Sequence, residues 1–140
     1  MKKIFIASDH AGYNLKNSVI SKFSKKQKLI DLGPTSSDPV DYPDFAKKLA
    51  RKVSSNKLSL GILICGSGMG MAITANKIKN VRAALCYSNK NTKLSRLHNN
   101  ANIITLGERL ISKNKAINLI KIFLSTKFEG GRHLRRVKKM

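Results

Sequence analysis

The run Ile62-Leu63-Ile64-Cys65-Gly66-Ser67-Gly68-Met69-Gly70 ends an apolar stretch on a thiol and follows it with three glycines spaced by single residues. Glycines that lead into a helix let backbone N–H groups approach an anion closely, and the helix N-terminus adds about half a positive charge. A thiol at such a turn lies where the dipole favours thiolate, so Cys65 is a candidate base or nucleophile. The competing reading is a small apolar residue closing a strand. That second reading is the one for Cys86, expected mid-strand in VRAALCY with no glycine turn beside it. The dinucleotide fingerprint fails, because Met71 stands where GxGxxG needs its third glycine and no acidic residue ends the next strand. The P-loop fails for want of a following Gly-Lys-Ser/Thr, and a thiol redox role fails for want of a Cys-x-x-Cys partner.

Two further groups of residues have chemistry to offer. Asp9-His10 follows the first apolar run, where it can cap a helix or face a ligand. The tail FEGGRHLRRVKKM carries Arg132 and Arg136, a spacing of four that puts both guanidinium groups on one helical face. Two such forks suit a phosphate, and a solvated basic terminus is the bland alternative.

These residues need a scaffold, and the alternation of apolar, β-branched runs with helical periods argues for β-α units around a parallel sheet. Strands are expected near residues 3–8, 28–33, 58–65, 81–87 and 101–107, and helices near 11–24, 43–54, 69–79, 89–98 and 112–126. In the last helix Ala116, Ile117, Leu119, Ile120, Phe123 and Leu124 form an apolar stripe, leaving Lys113, Lys115 and Lys121 to solvent. The tail from about 128 to 140 breaks the rhythm. In an open parallel sheet the ligand crevice lies beyond the carboxyl ends of the strands. Here those exits are Ser8-Asp9-His10, Cys65-Gly66-Ser67 and Gly107-Glu108-Arg109.

The length of 140 residues suits one domain with its own core. The first apolar run is too short for a signal peptide or a membrane span, and two cysteines without a leader suggest a reducing, cytoplasmic setting. With 28 Lys and Arg against 7 Asp and Glu, the formal charge of +21 raises nucleic acid as a partner. The lysines are spread along the whole chain, with no aromatic RNA-binding motif or zinc spacing. Solubility and the steering of anions are the preferred account of that charge.

The segments KIFIASDHAG, DYPDFA (41–46), ICGSGMG, ANK (75–77), SRLHNNAN (95–102), LGERL (106–110) and EGGRHLRRV (129–137) together resemble ribose 5-phosphate isomerase type B, a family that also includes galactose 6-phosphate isomerase subunits. The resemblance covers nearly the whole chain. It implies a Rossmann-like three-layer α/β/α sandwich with five parallel strands, no cofactor, no metal, and a homodimer with shared sites, pairing of dimers into a tetramer being left open. It implies Cys65 as the base, the turn Gly66, Ser67, Gly68, Met69 and Gly70 as the cradle of an enediolate, and Ser67, at a position usually held by threonine, as a carrier of hydroxyl protons. His98 matches the acid that opens the sugar ring, with Asp9 nearby. His10, Asn99, Arg109, Arg132 and Arg136 match substrate or phosphate contacts. Because His98 and Asn99 precede the fifth strand, they are expected to serve the partner's crevice. The implied reaction interconverts ribose 5-phosphate and ribulose 5-phosphate. Alternatives are a six-carbon substrate such as allose or galactose 6-phosphate, and a basic nucleic-acid-binding module on the same fold.

Overall fold

A computed structural model describes residues 2–140. The elements run β1 (Ile4–Ser8), α1 (Tyr13–Phe23), β2 (Leu29–Asp31), α2 (Tyr42–Ser54), β3 (Leu60–Cys65), α3 (Met69–Ala75), β4 (Ala83–Leu85), α4 (Asn89–Leu97), β5 (Ile103–Gly107), α5 (Lys113–Ser125) and α6 (Arg132–Val137). Among the described residues the strands form one parallel sheet in the order β2-β1-β3-β5-β4. The three central strands, IFIAS, LGILIC and IITLG, are buried along their whole length, as near-continuous apolar runs in a sheet covered on both faces should be.

Two hydrophobic clusters give the three layers. Leu15, Val19 and Phe23 of α1 pack with Ala116, Leu119, Ile120 and Phe123 of α5 on one face. Ala46, Leu49, Ala50 and Val53 of α2 pack with Met71 and Ala75 of α3 on the other. The α/β/α sandwich and the apolar stripe of α5 are as the sequence implies, with Leu124 only partly buried. The edge strands are shorter than expected, at three residues each. Cys86 accordingly lies one residue past β4 and not mid-strand, although its N–H still donates to Thr105 O at 3.0 Å. The tail is not irregular throughout, because Arg132–Val137 forms a helix.

One buried charge was not foreseen. Lys16 on α1 is fully buried, its ammonium donating to both carboxylate oxygens of Asp31 at 2.9 and 2.8 Å and to Pro34 O at 2.9 Å. Three acceptors offset the cost of burying that charge, and they tie the chain after β2 to α1 beside the β1 exit. No helix among the described residues is long and apolar enough to cross a membrane.

Candidate active site

Strands β1 and β3 are neighbours whose connections leave to opposite sides of the sheet, so a crevice opens beyond their carboxyl ends. Backbone hydrogen bonds sew the exits together. Asp9 N–H donates to Ile64 O at 3.2 Å, Glu108 N–H to Cys65 O at 2.9 Å, and Arg109 N–H to Gly66 O at 3.0 Å. The result is a cleft of about 380 Å³ lined by Asp9, His10, Cys65, Ser67 and Arg109, with Gly66, Gly70, Tyr42 and Leu110 completing its wall.

Within the cleft the sulfur of Cys65 accepts the Gly68 N–H at 3.1 Å, a donor that stabilises negative charge on sulfur. Cys65 is only 4% exposed, yet it lines the cleft, so the thiol is sheltered without being sealed off. Gly68 reaches this position with a φ of 78°, and a Cβ there would stand 2.7 Å from Leu85 Cδ1 and 2.9 Å from the Leu106 carbonyl carbon. Ser67 Oγ accepts the Met69 N–H at 3.2 Å. Gly70 and Met71 occupy the first turn of α3, where N–H groups have no intrahelical acceptor. Asp9 Oδ1 accepts the Gly12 N–H at 3.0 Å, which fixes the carboxylate at the start of α1. His10 is held through Nδ1, 3.1 Å from the Val40 backbone, which leaves Nε2 as the nitrogen available to a ligand.

Glu108 stands behind this wall with its Oε2 buried and unpartnered. Burial is the chief influence and pushes its carboxyl above the usual range; the Leu15 N–H opposes that rise and the Asp9 charge adds to it. Burial likewise pushes up the thiol of Cys86, which sits in the core cluster on the α1/α5 face.

His98, Asn99, Arg132 and Arg136 lie elsewhere. His98 caps the C-terminal end of α4, before the start of β5, whereas Cys65 pairs with Gly107 at the end of β5. The four steps from Ile103 to Gly107 alone separate the two ends by about 13 Å. The Glu129 N–H donates to Leu97 O at 3.1 Å, anchoring the tail to the end of α4. There the His98 and His133 rings stack with centroids 4.1 Å apart and planes inclined by 15°, and His98 Nε2 lies 3.9 Å from Glu129 Oε2. Burial, followed by the neighbouring His98 and Arg132, holds the His133 imidazole below its ordinary range. His98, Glu129 and His133 form a grouping able to hold a metal ion.

A family model described as Ribose/Galactose Isomerase matches residues 4–140, which include both groups. The chain belongs to the ribose/galactose isomerase family. It is 49% identical to a probable ribose-5-phosphate isomerase B of Mycoplasma pneumoniae over 98% of this chain and 91% of that one. Its fold superposes on the ribose-5-phosphate isomerase B of Clostridium thermocellum with a TM-score of 0.95 at 44% identity, covering 99% and 94% of the two chains. The enzyme of Mycoplasma genitalium, solved with ribulose 5-phosphate bound, gives a TM-score of 0.94 at 45% identity, covering 99% and 93%.

Of the residues the family resemblance singles out, the cleft brings together Asp9, His10, Cys65, Gly66, Ser67, Gly70 and Arg109. Gly68 and Met69 build the turn behind it. The other four form a separate group within the same chain. Tyr42 joins the wall unforeseen as a single residue, its ring standing where a Cβ on Gly70 would go, and only its place in DYPDFA hinted at a role. Glu129 is likewise visible only as part of EGGRHLRRV, and His133 only as one of the basic residues of the tail.

Proposed function

We propose that this chain interconverts ribose 5-phosphate and ribulose 5-phosphate, with Cys65 as the base. The observation that carries the reading is the sulfur of Cys65, set in a polar cleft and accepting a backbone N–H at 3.1 Å. In the direction of the ketose, the Cys65 thiolate takes the proton from C2 of the opened aldose, and the electron pair moves to form the enediolate. The proton on sulfur is then delivered to C1. The hydroxyl proton moves from O2 to O1 by way of Ser67 Oγ. N–H groups of the glycine turn and the first turn of α3 face the developing oxyanion. The Arg109 guanidinium, packed over Gly66, adds positive charge at the same place.

A base and an oxyanion cradle need an anchor that holds the sugar in line. Arg132 and Arg136, one turn apart on α6, are assigned to the phosphate with His10, and His98 and Asn99 to opening and holding the ring, with Asp9 close to the reacting end. Since these groups fall at opposite ends of β5 in one chain, the proposed working unit is a dimer in which each cleft is completed by the other subunit's α4 end and tail. The exposed Met69, Ile73, Leu110 and Leu134 side chains give such a dimer apolar surface to bury. A reducing, cytoplasmic setting is proposed from the two free cysteines.

The test of the reaction is a coupled assay with five- and six-carbon sugar phosphates. Cys65→Ala is expected to lower turnover on ribose 5-phosphate by about 10³-fold while leaving substrate binding in place, and turnover near the unsubstituted level would refute the base. The test of the shared site is subunit mixing. Cys65→Ala and His98→Ala chains, each of low activity, form hybrids with one intact site, so equal mixing restores about a quarter of full activity. No gain after exchange would exclude the shared arrangement.

A further inference from the structure

His98, Glu129 and His133 come from the end of α4, the loop before α6 and the second residue of α6, yet one ligand atom from each lies within 4.8 Å of the other two. His133 is 6% exposed, and its buried Nε2 has no hydrogen-bond partner. A buried ring nitrogen left without a partner in a folded chain asks for a ligand. Two imidazole nitrogens and a carboxylate oxygen are the donor set that suits zinc, with a fourth position open to water.

We propose that His98, Glu129 and His133 form a Zn²⁺ site whose occupancy inhibits the enzyme by engaging His98. The inhibitory consequence rests on the isomerase reading above, whereas the binding does not. Zinc bonds of about 2.0–2.2 Å place tetrahedral ligand atoms roughly 3.3 Å apart, so the group must close inward from its present spacing. Burial fixes His133, while the His98 and Glu129 side chains, 36% and 57% exposed, can swing towards it. The stacked rings must tilt apart for both lone pairs to meet one ion. Arg132 and Arg136 on the same helix oppose a cation and Glu129 offsets one of those charges, which makes this a reversible site and not a structural zinc. An ion bonded to His98 Nε2 takes the place of the proton that His98, as the acid, must donate in ring opening.

The experiment is titration of the full chain with Co²⁺ as a visible-absorbing reporter, in the Cys65→Ala protein so that the thiol cannot compete. One ion per chain is expected, with affinity weakened roughly tenfold or more by Glu129→Gln and by His133→Ala. Glu129 is exposed, so its variant reads the site even if His133→Ala fails to fold. In the protein with Cys65 intact, Zn²⁺ should lower turnover, a chelator should restore it, and Glu129→Gln should demand about tenfold more zinc for equal inhibition. Absence of bound Co²⁺, or binding indifferent to Glu129→Gln, overturns the site. Binding as expected in a protein whose turnover ignores zinc keeps the site and overturns its inhibitory role, and a protein that binds the ion but isomerises no sugar phosphate fails the functional reading alone.

Discussion

The two ends of the sheet offer chemistry built in different ways. At the carboxyl end, the cleft is made of main chain, with glycine N–H groups, strand exits bonded carbonyl to amide, and a thiol on the last residue of β3. At the opposite end, the cluster is made of long side chains on the end of α4 and on a six-residue helix. Backbone geometry at the first is continuous with the core, so it cannot be altered without disturbing packing. Apart from the buried His133, side chains at the second reach out from a mostly exposed helix, so they can be removed with little consequence for the fold. Activity and stability should therefore be coupled at one end and separable at the other.

Gly68→Ala tests the coupled end and should have the larger effect. Its φ of 78° disfavours any side chain, and the new methyl would stand 2.7 Å from Leu85 Cδ1 and 2.9 Å from backbone of Leu106. Overpacking of this kind costs about 1–3 kcal/mol, which for a chain of this size lowers the melting temperature by several degrees, at about 2–4 °C per kcal/mol. The same shift displaces the N–H that faces the Cys65 sulfur, so kcat should fall together with Tm. Loss of one without the other would break the proposed coupling.

Arg132→Ala tests the separable end. The side chain is exposed on α6, so thermal melts should match the unsubstituted protein. Losing one charge-assisted contact to a phosphate, about 1.5–3 kcal/mol, should raise KM by roughly 10–100-fold with a smaller change in kcat. A fall in kcat with KM unchanged would remove Arg132 from the phosphate.

What the sequence disclosed follows the same division. The cleft was legible because its features are local: an apolar run, then Cys65, then glycines at fixed spacing, all within nine residues. The face of α5 was legible from its period, and the helical spacing of Arg132 and Arg136 proved to be that of a real helix. The misses are long-range. Lys16 looks like one more solvated lysine until Asp31 and the Pro34 carbonyl meet it in the core. The stacking of His133 on His98 joins positions 35 residues apart, and no period records such a meeting. Cys86 falls outside β4 because an edge strand paired on one side only, with β5, ends early.

Glu108 gives the finest test, because it belongs to the main-chain end yet acts through a charge. Its Oε2 is buried without a partner, and burial pushes its carboxyl above the ordinary glutamate value of 4.5. Between that value and the raised one, the folded chain holds a proton that the unfolded chain has released. The unfolded state then binds fewer protons than the native state, so this group makes stability fall as pH rises. The stability it retains is complete below pH 4.5 and is lost once pH passes the folded value. Glu108→Gln has no proton to lose, so it should match the parent in urea unfolding at low pH and exceed it near neutrality. Because the side chain is only partly buried, solvent screening keeps the gain to about 0.5 kcal/mol or less. A variant less stable than the parent at neutral pH would mean that the carboxylate is ionised and held by the Leu15 N–H. The carboxylate would then cap α1 and share the Asp9 end of the cleft as a second fixed negative charge.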